Sequence, residues 1–172
     1  PLTNLALAYG SFQEKLQRLG TLTWMGASRA RGNHTEHAEY NAFADADALA
    51  TVLQHDAPLR IVDLELCRQV TLGPADIPIL EDSLLADLLG GYLDIALSRG
   101  REQMAIYDPI AALAVVQPSL VQFERVNLSV HTENDARYGK TAFNFEQPAN
   151  ASIGINIDPK IALQLCMKAL EQ

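Results

Sequence analysis

The sequence predicts an α/β domain with an open sheet flanked by helices. Short β-rich runs alternate along the chain with amphipathic or leucine-rich helical stretches. The chain has 172 residues, of which 48% are hydrophobic, and this is enough to bury one sizeable core. It contains no internal repeat, low-complexity tract or linker that would divide it into separate units. We therefore expect a single α/β unit.

The first third of the chain predicts two short helices and a strand. A helix is expected over residues 3–9, with Thr3 placed to cap it. Apolar residues at the i, i+4 and i+7 positions of 12–19 predict a second, amphipathic helix that stops at Gly20. The apolar run 21–25 follows as a strand.

The middle of the chain predicts a helix, a strand and a second helix. The first helix covers 45–55, with Asp45 as its capping candidate and an apolar face for the core. The β-rich run 59–66 predicts a strand. A long leucine-rich helix is expected over 79–97, with a break near the two glycines at 90–91.

The last third predicts a helix, three strands and a closing helix. Asp108 is expected to cap a helix that has Pro109 at its first position, where proline's fixed φ is favourable. The closing helix starts at Pro159 and is expected to pack onto the sheet through apolar residues that include Ile161 and Leu165. The three strands lie between these helices, at 123–130, 140–145 and 151–157, the last with its isoleucines on one face.

Composition excludes several classes of partner. The net charge is −8 and no basic cluster stands out along the sequence, which argues against binding a nucleic acid polymer through its phosphates. No apolar run approaches the roughly 20 residues of a membrane span. Cys67 and Cys166 lack CxxC spacing and are expected to be buried free thiols, which favours a reducing, cytoplasmic location.

The most polar short stretch follows the first predicted strand. Residues 32–41 read Gly-Asn-His-Thr-Glu-His-Ala-Glu-Tyr-Asn and hold two carboxamides, two carboxylates and two imidazoles. Loops at strand ends are where α/β proteins bind ligands. A polyhydroxylated ligand needs such a mixture of donors and acceptors, because each hydroxyl both gives and takes a hydrogen bond. A solvated polar loop is the alternative for the same composition.

This stretch resembles the ribose-binding loop of the inosine-uridine-preferring nucleoside hydrolases, in which Gly-Asn is followed by Ala-Glu-Phe-Asn. The chain has Gly32-Asn33 and Ala38-Glu39-Tyr40-Asn41 in that order, with Tyr for Phe. Three further motifs resemble the family in the right sequence order: Pro1-Leu2-Thr3-Asn4-Leu5-Ala6-Leu7-Ala8, Trp24-Met25-Gly26-Ala27 and Tyr107-Asp108-Pro109-Ile110-Ala111. The resemblance implies an open, mostly parallel sheet and hydrolysis of ribonucleosides to ribose and free base, with a place in nucleoside salvage.

The resemblance also implies roles for particular residues. Asn33, Glu39 and Asn41 match the residues that hold ribose, and an extended segment would point Glu39 and Asn41 to one face. Met25 matches a residue that lines the sugar pocket, with a core methionine after a strand as the alternative.

Calcium is the cofactor that the resemblance implies, bound by aspartates and one backbone carbonyl and contacting the water and the sugar hydroxyls. Asp108 matches one metal-binding aspartate, with simple helix capping as the alternative. Thr3 matches the residue whose main-chain carbonyl completes the metal shell.

Tyr107 departs from the family pattern, in which pyrimidine- and inosine-cleaving members carry a histidine that protonates the leaving base. A tyrosine stays protonated at neutral pH and can donate a proton. Purine-preferring relatives place an aromatic residue there that stacks on the base. Tyr107 is therefore predicted to stack, to donate or to fill space, and the base preference stays open.

The family's amino-terminal aspartate signature, Asp-x-Asp-x-x-x-Asp-Asp, does not occur in these 172 residues. We therefore expect residues 1–172 to form a single partial domain that lacks its amino-terminal segment, supplied by the same gene product or by a partner chain. The chain alone is expected to be inactive, and the complete enzyme is expected to be a homo-oligomer.

Two alternatives to this enzyme remain at the level of sequence. One is a relative that acts on another ribosyl compound, since the loop specifies the sugar better than the base. The other is a non-catalytic nucleoside- or ribose-binding or scaffold protein derived from the family.

Overall fold

A computed structural model describes residues 1–16, 18–55 and 58–170. The strands in these ranges are β1 (Leu22–Met25), β2 (Leu59–Val62), β3 (Thr71–Leu72), β4 (Met104–Ala105), β5 (Val121–Val130), β6 (Thr141–Asn144) and β7 (Ala151–Ile157). The α-helices there are α1 (Thr3–Leu16), α2 (Tyr40–Ala44), α3 (Ala46–Leu53), α4 (Leu64–Cys67), α5 (Ser83–Ser98), α6 (Asp108–Val116) and α7 (Pro159–Leu170).

The main sheet has five strands in the order β1-β2-β7-β5-β6. The neighbours β1, β2 and β7 run parallel, whereas β5 is antiparallel to both β7 and β6. Four of the five strands therefore point in one direction. This confirms the predicted open, mostly parallel α/β sheet flanked by helices. A separate antiparallel pair joins β3 to β4.

Alternating side chains of the parallel strands bury both faces of the sheet, because successive residues of a strand point to opposite sides. Trp24 and Ile61 belong to one apolar cluster, which also contains Leu49 of α3. Met25 and Val62, the next residue in each strand, belong to the other cluster, which is closed by the helices α4 to α7. Helices on both sides of such strands are the usual arrangement for a parallel sheet.

The register of β5 against β7 shifts within the pairing. Gln122 pairs with Asn156 while Phe123 pairs with Gly154, so that Ile155 is an extra residue on β7. A bulge of this kind interrupts the alternation of side chains. Ile153 consequently packs in the cluster of Trp24, whereas Ile157 packs in the cluster of Met25. The prediction of one isoleucine face along β7 is wrong for this reason.

The amino-terminal helices are joined rather than separate. Residues 3–16 form α1, with a kink at Phe12, and the predicted helix 12–19 ends early, its residue 17 lying outside the described residues. Thr3 does not cap α1: it is the first helical residue, and its hydroxyl donates to Asp45 Oδ2 at 2.5 Å. Asp45 caps α3 as predicted, accepting the Ala48 N–H at 2.9 Å.

Two of the central predictions are also corrected. The strand predicted over 59–66 ends at Val62, because the Asp63 carboxylate accepts the Leu66 N–H at 2.9 Å and starts α4. The helix predicted over 79–97 starts at Ser83, with Asp82 as its cap, and continues through 90–91 without a break. In α7, Ile161 is exposed, and Ala162 and Cys166 face the core instead.

Both cysteines are buried free thiols, as predicted. Burial raises the pKa of the Cys67 thiol and of the Cys166 thiol, which keeps both neutral. Within the part of the chain that the structure describes, no helix is both long and apolar enough to cross a bilayer.

Gly91 in α5 offers a direct test of this helix. It is exposed, and a Cβ added there would meet no atom within 4 Å. We expect Gly91→Ala to raise the free energy of unfolding by about 0.5–1 kcal/mol, since alanine loses less backbone entropy in a helix. Gly154→Ala is the contrasting variant. It is expected to lower the free energy of unfolding, because its Cβ would lie 2.5 Å from Leu66 Cδ2. Urea unfolding of both variants checks this, and a loss of stability in Gly91→Ala would contradict a continuous α5.

Candidate functional site

The site lies at the carboxyl ends of β1 and β2, where Met25 and Val62 are paired neighbours. The pairing continues past the strands, because the Gly26 N–H donates to the Val62 carbonyl at 3.1 Å and the Leu64 N–H donates to the Ala27 carbonyl at 3.1 Å. Ala27 has a φ of 72°, which is unusual for a residue with a side chain. The chain therefore turns sharply out of β1 toward the predicted sugar-binding loop.

Glu39 joins the end of β1 to the start of α2. Its Oε2 accepts the Ala27 N–H at 2.9 Å and the Ala42 N–H at 3.0 Å, and its Oε1 accepts the Asn41 N–H at 2.8 Å. The side chain is a helix cap that is only 2% exposed. The prediction that Glu39 and Asn41 lie in one extended segment is wrong, since Asn41 is already in the first turn of α2.

Asn41 and Met25 are held together by this arrangement. The Asn41 amide donates to the Met25 carbonyl at 3.1 Å and lies 3.6 Å from the Met25 sulfur. The Asn41 amide nitrogen is thus already hydrogen-bonded. The Asn41 Oδ1, in contrast, has no hydrogen-bond donor among the residues described. Met25 itself is 8% exposed and packs in the core cluster.

The loop between Gly32 and Glu39 is closed by its own hydrogen bonds. The Ala38 carbonyl accepts the N–H groups of His34 and Thr35, both at 3.3 Å. A Cβ at Gly32 would lie 2.1 Å from the Ala38 oxygen, so only glycine fits there. Asn33 is exposed, and its Oδ1 accepts the Tyr40 N–H at 2.9 Å, while its NH₂ group has no acceptor among the described residues.

Tyr107 and Asp108 lie at the start of α6, which packs against β1. The Tyr107 carbonyl accepts the Ile110 N–H at 2.9 Å, so Tyr107 occupies the cap position and Asp108 is the first helical residue. The prediction that the Asp108 side chain caps this helix is therefore wrong. The Asp108 carboxylate is exposed and has no hydrogen-bond donor within the described ranges, which leaves both oxygens available.

Asn33 and Tyr107 both line one open cleft. The cleft has a volume of about 690 Å³, within the usual range for small-molecule sites. Residues 31–36 line it together with Tyr92, Ala105 and Tyr107. Met25, Glu39 and Asn41 are gathered instead at the end of β1. Thr3 is engaged separately with Asp45.

A network of charged side chains, which the sequence analysis missed, holds the segment that leads from β1 into the loop. Asp63 is fully buried and accepts two hydrogen bonds from the Arg29 guanidinium, at 2.7 and 3.1 Å. Glu65 accepts the Arg29 N–H at 2.6 Å and pairs with Arg68 at 2.8 Å. Burial raises the pKa of the Asp63 carboxyl, whereas neighbouring hydrogen bonds hold the pKa of Glu65 below its usual range despite partial burial.

Comparison with known proteins identifies the family. A model of the family described as inosine-uridine preferring nucleoside hydrolase matches residues 1–164. The chain belongs to this family. Curated members that are similar include the non-specific ribonucleoside hydrolases RihC of Salmonella paratyphi A, 29% identical over 167 residues, and of Escherichia coli, 29% identical over 169 residues.

The nucleoside hydrolase relatives are longer than this chain. The Salmonella match covers 92% of the chain and 54% of the relative, and the Escherichia match covers 93% and 55%, so the chain spans about half their length. The solved purine-preferring ribonucleoside hydrolase from Gardnerella vaginalis has the same fold, with a TM-score of 0.88 and 22% identity, over 99% of this chain and 58% of that one.

The calcium that the nucleoside hydrolase resemblance implies would need oxygen ligands, and two of the predicted ligands lie in this chain. Asp108 offers the available carboxylate described above, and Thr3 offers a main-chain carbonyl. Calcium takes six to eight oxygen ligands, more than these two residues supply. In the described part of the chain, one group of three acidic and imidazole side chains lies close enough to share an ion: His131, Glu133 and Asp135, on the β5–β6 connection.

The burial of Glu39 predicts a structural cost of changing it. In Glu39→Gln, one acceptor oxygen becomes an NH₂ group, so that a buried backbone N–H loses its partner. We expect the free energy of unfolding to fall by about 2 kcal/mol. Glu36→Gln is the matched control in the same loop, since the Glu36 side chain is 72% exposed and pairs with His37 at 3.2 Å. Equal stability of the two variants by chemical denaturation would show that Glu39 does not hold the loop.

Proposed function

We propose that this chain forms the sugar- and base-binding side of a calcium-dependent ribonucleoside hydrolase. The reaction adds water across the N-glycosidic bond and releases ribose and the free base. The observation that carries the proposal is the shared cleft, which is lined both by Asn33 of the loop after β1 and by Tyr107 at the start of α6. These residues are far apart in the sequence, and each belongs to a motif that resembles the family.

The two asparagines provide complementary groups for the sugar. Asn33 has its NH₂ group available because its Oδ1 is bonded to the Tyr40 N–H. Asn41 has its Oδ1 available because its amide nitrogen is bonded to the Met25 carbonyl. A ribose hydroxyl both donates and accepts, so a donor at one position and an acceptor at the other orient it. Met25 is proposed to contact the sugar through its side chain.

Glu39 is proposed to act chiefly by positioning Asn41. Three N–H groups already occupy most of its acceptor capacity, although Oε1 carries only one of these bonds and retains a lone pair for a sugar hydroxyl. Fixing the ribose matters because the transition state has oxocarbenium character, and groups held in place can stabilise it without reorganising.

Tyr107 is proposed to face the leaving base. It is partly buried, lines the cleft and has its main chain fixed by bonds from Ile110 and from the Cys67 thiol. The aromatic ring offers a stacking surface, and the hydroxyl offers a proton donor for the departing nitrogen. Tyr107→Phe separates these roles, since proton donation needs the hydroxyl and stacking does not.

Asp108 and the Thr3 carbonyl are proposed as two of the calcium ligands. When bound, calcium supplies electrostatic activation of the attacking water. The remaining acidic ligands and the general base are proposed to come from outside these 172 residues, from the same polypeptide or a partner chain, because the aspartate signature does not occur here. The 172-residue chain alone is accordingly expected to release no base. Nucleoside salvage in the cytoplasm and a homo-oligomeric assembly remain part of this proposal.

Asp108→Asn tests the ligand role in the protein as isolated from its source, after intact mass has shown which polypeptides are present. The neutral amide binds calcium more weakly, so we expect kcat/KM for inosine and uridine to fall by about 100-fold or more. Added calcium should restore part of the activity, and a chelator should abolish wild-type activity. Asp87→Asn, which removes an exposed aspartate of α5, should leave the kinetics unchanged.

Two results of this assay would contradict the proposal. Full activity of Asp108→Asn would remove Asp108 from the metal site. Tight binding of nucleoside without release of base, when the aspartate-bearing segment is present, would favour the non-catalytic binding protein.

A further inference from the structure

The cleft is strongly basic in an acidic protein. The chain carries a net charge of −8 and nine arginines in all. Four of these nine line the cleft, namely Arg31, Arg68, Arg99 and Arg101. Glu36 is the acidic residue among those that line it. The local charge is therefore opposite in sign to that of the whole molecule.

The four arginines come from three separate segments. Arg31 lies in the loop after β1, Arg68 follows α4, and Arg99 and Arg101 follow α5. Arg68 holds the first segment in place, since its guanidinium donates to the Arg31 carbonyl at 3.2 Å while pairing with Glu65 at 2.8 Å. The fold thus brings like charges together from distant parts of the sequence.

Three of these arginines lack a carboxylate partner among the residues that the structure describes. In the part of the chain that the structure describes, Arg31, Arg99 and Arg101 form no ion pair within 4.0 Å. Arginines elsewhere do pair: Arg29 with the buried Asp63, and Arg137 with Asp135 at 3.0 Å. Unpaired guanidinium groups that line the same cleft repel one another. A bound anion relieves that repulsion.

We propose that this cleft binds the phosphate group of a ribonucleoside monophosphate. The proposal rests on the proposed function, because Asn33 in the same cleft is taken to hold the ribose. A neutral nucleoside has no group for the arginines, whereas a phosphate dianion accepts the paired N–H groups that a guanidinium offers. The volume of about 690 Å³ accommodates a sugar, a base and a phosphate.

Binding measurements with three probes test this inference. Affinities for uridine, uridine 5′-monophosphate and inorganic phosphate are measured by titration calorimetry on the protein as isolated, with calcium present. We expect the monophosphate to bind at least about 10-fold more tightly than uridine at low salt, with the advantage shrinking as salt is added. In the double variant Arg99→Gln/Arg101→Gln the ratio of the two affinities should approach one, while uridine affinity stays unchanged.

Arg125→Gln is the matched control, because it removes one exposed arginine of β5 outside the cleft and should preserve the ratio. Arg31→Gln is a second cleft variant that should lower the ratio even if the double variant fails to fold.

Three outcomes would overturn the inference, and they separate it from the proposed function. Equal binding of uridine and its monophosphate would refute the phosphate site and leave the proposed function standing. Inorganic phosphate binding as tightly as the monophosphate, with the same loss in the variants, would indicate an anion site that is unconnected to the sugar. Binding of neither uridine nor its monophosphate would refute both.

Discussion

The arrangement of the site depends on one buried carboxylate. Glu39 accepts N–H groups from Ala27 at the end of β1 and from Asn41 and Ala42 at the start of α2. A buried carboxylate needs hydrogen-bond donors around it, since an unsolvated charge there is very costly. The geometry that satisfies Glu39 also fixes the sharp turn out of β1 and the orientation of Asn41. The same contact therefore determines both the local fold and the proposed sugar site.

The sheet explains why this contact can serve a ligand. Parallel β1 and β2 end together at one edge, where the backbone that follows them is free to turn outward. The segment after β1 is clamped to α4 by the pairing of Arg29 with Asp63. That leaves Asn33 and the arginines on the outer side of a rigid support. Precise positioning on rigid elements is what a site for a small polar ligand requires.

Local sequence patterns predicted most of the fold. Signals that act within a few residues were sufficient for several elements. These signals are the alternation and apolar runs of β1, β5 and β7 and the capping residue Asp45. Asp63 was predicted inside a strand, whereas it caps α4 through the Leu66 N–H and also pairs with Arg29, 34 residues away. The continuous α5 shows that packing and helix length outweigh the weak helix propensity of two adjacent glycines.

The candidate site was only partly predictable from the sequence. The motif around Asn33 was recognisable, but the role of Glu39 as a cap depends on the Ala27 N–H, which a linear pattern does not reveal. The basic character of the cleft was missed because Arg31, Arg68, Arg99 and Arg101 are scattered along the chain and form no run. Only the fold brings them to one place.

The central claim is that a ribosyl ligand binds at the carboxyl end of β1. Titration of the ¹⁵N-labelled protein with uridine and calcium, followed by amide NMR shifts, tests this claim most directly. The account predicts that shifts concentrate at Asn33, Asn41 and Tyr107. Shifts confined to the cavity at the opposite edge of the sheet, lined by Thr21, His55 and Ser152, would contradict it.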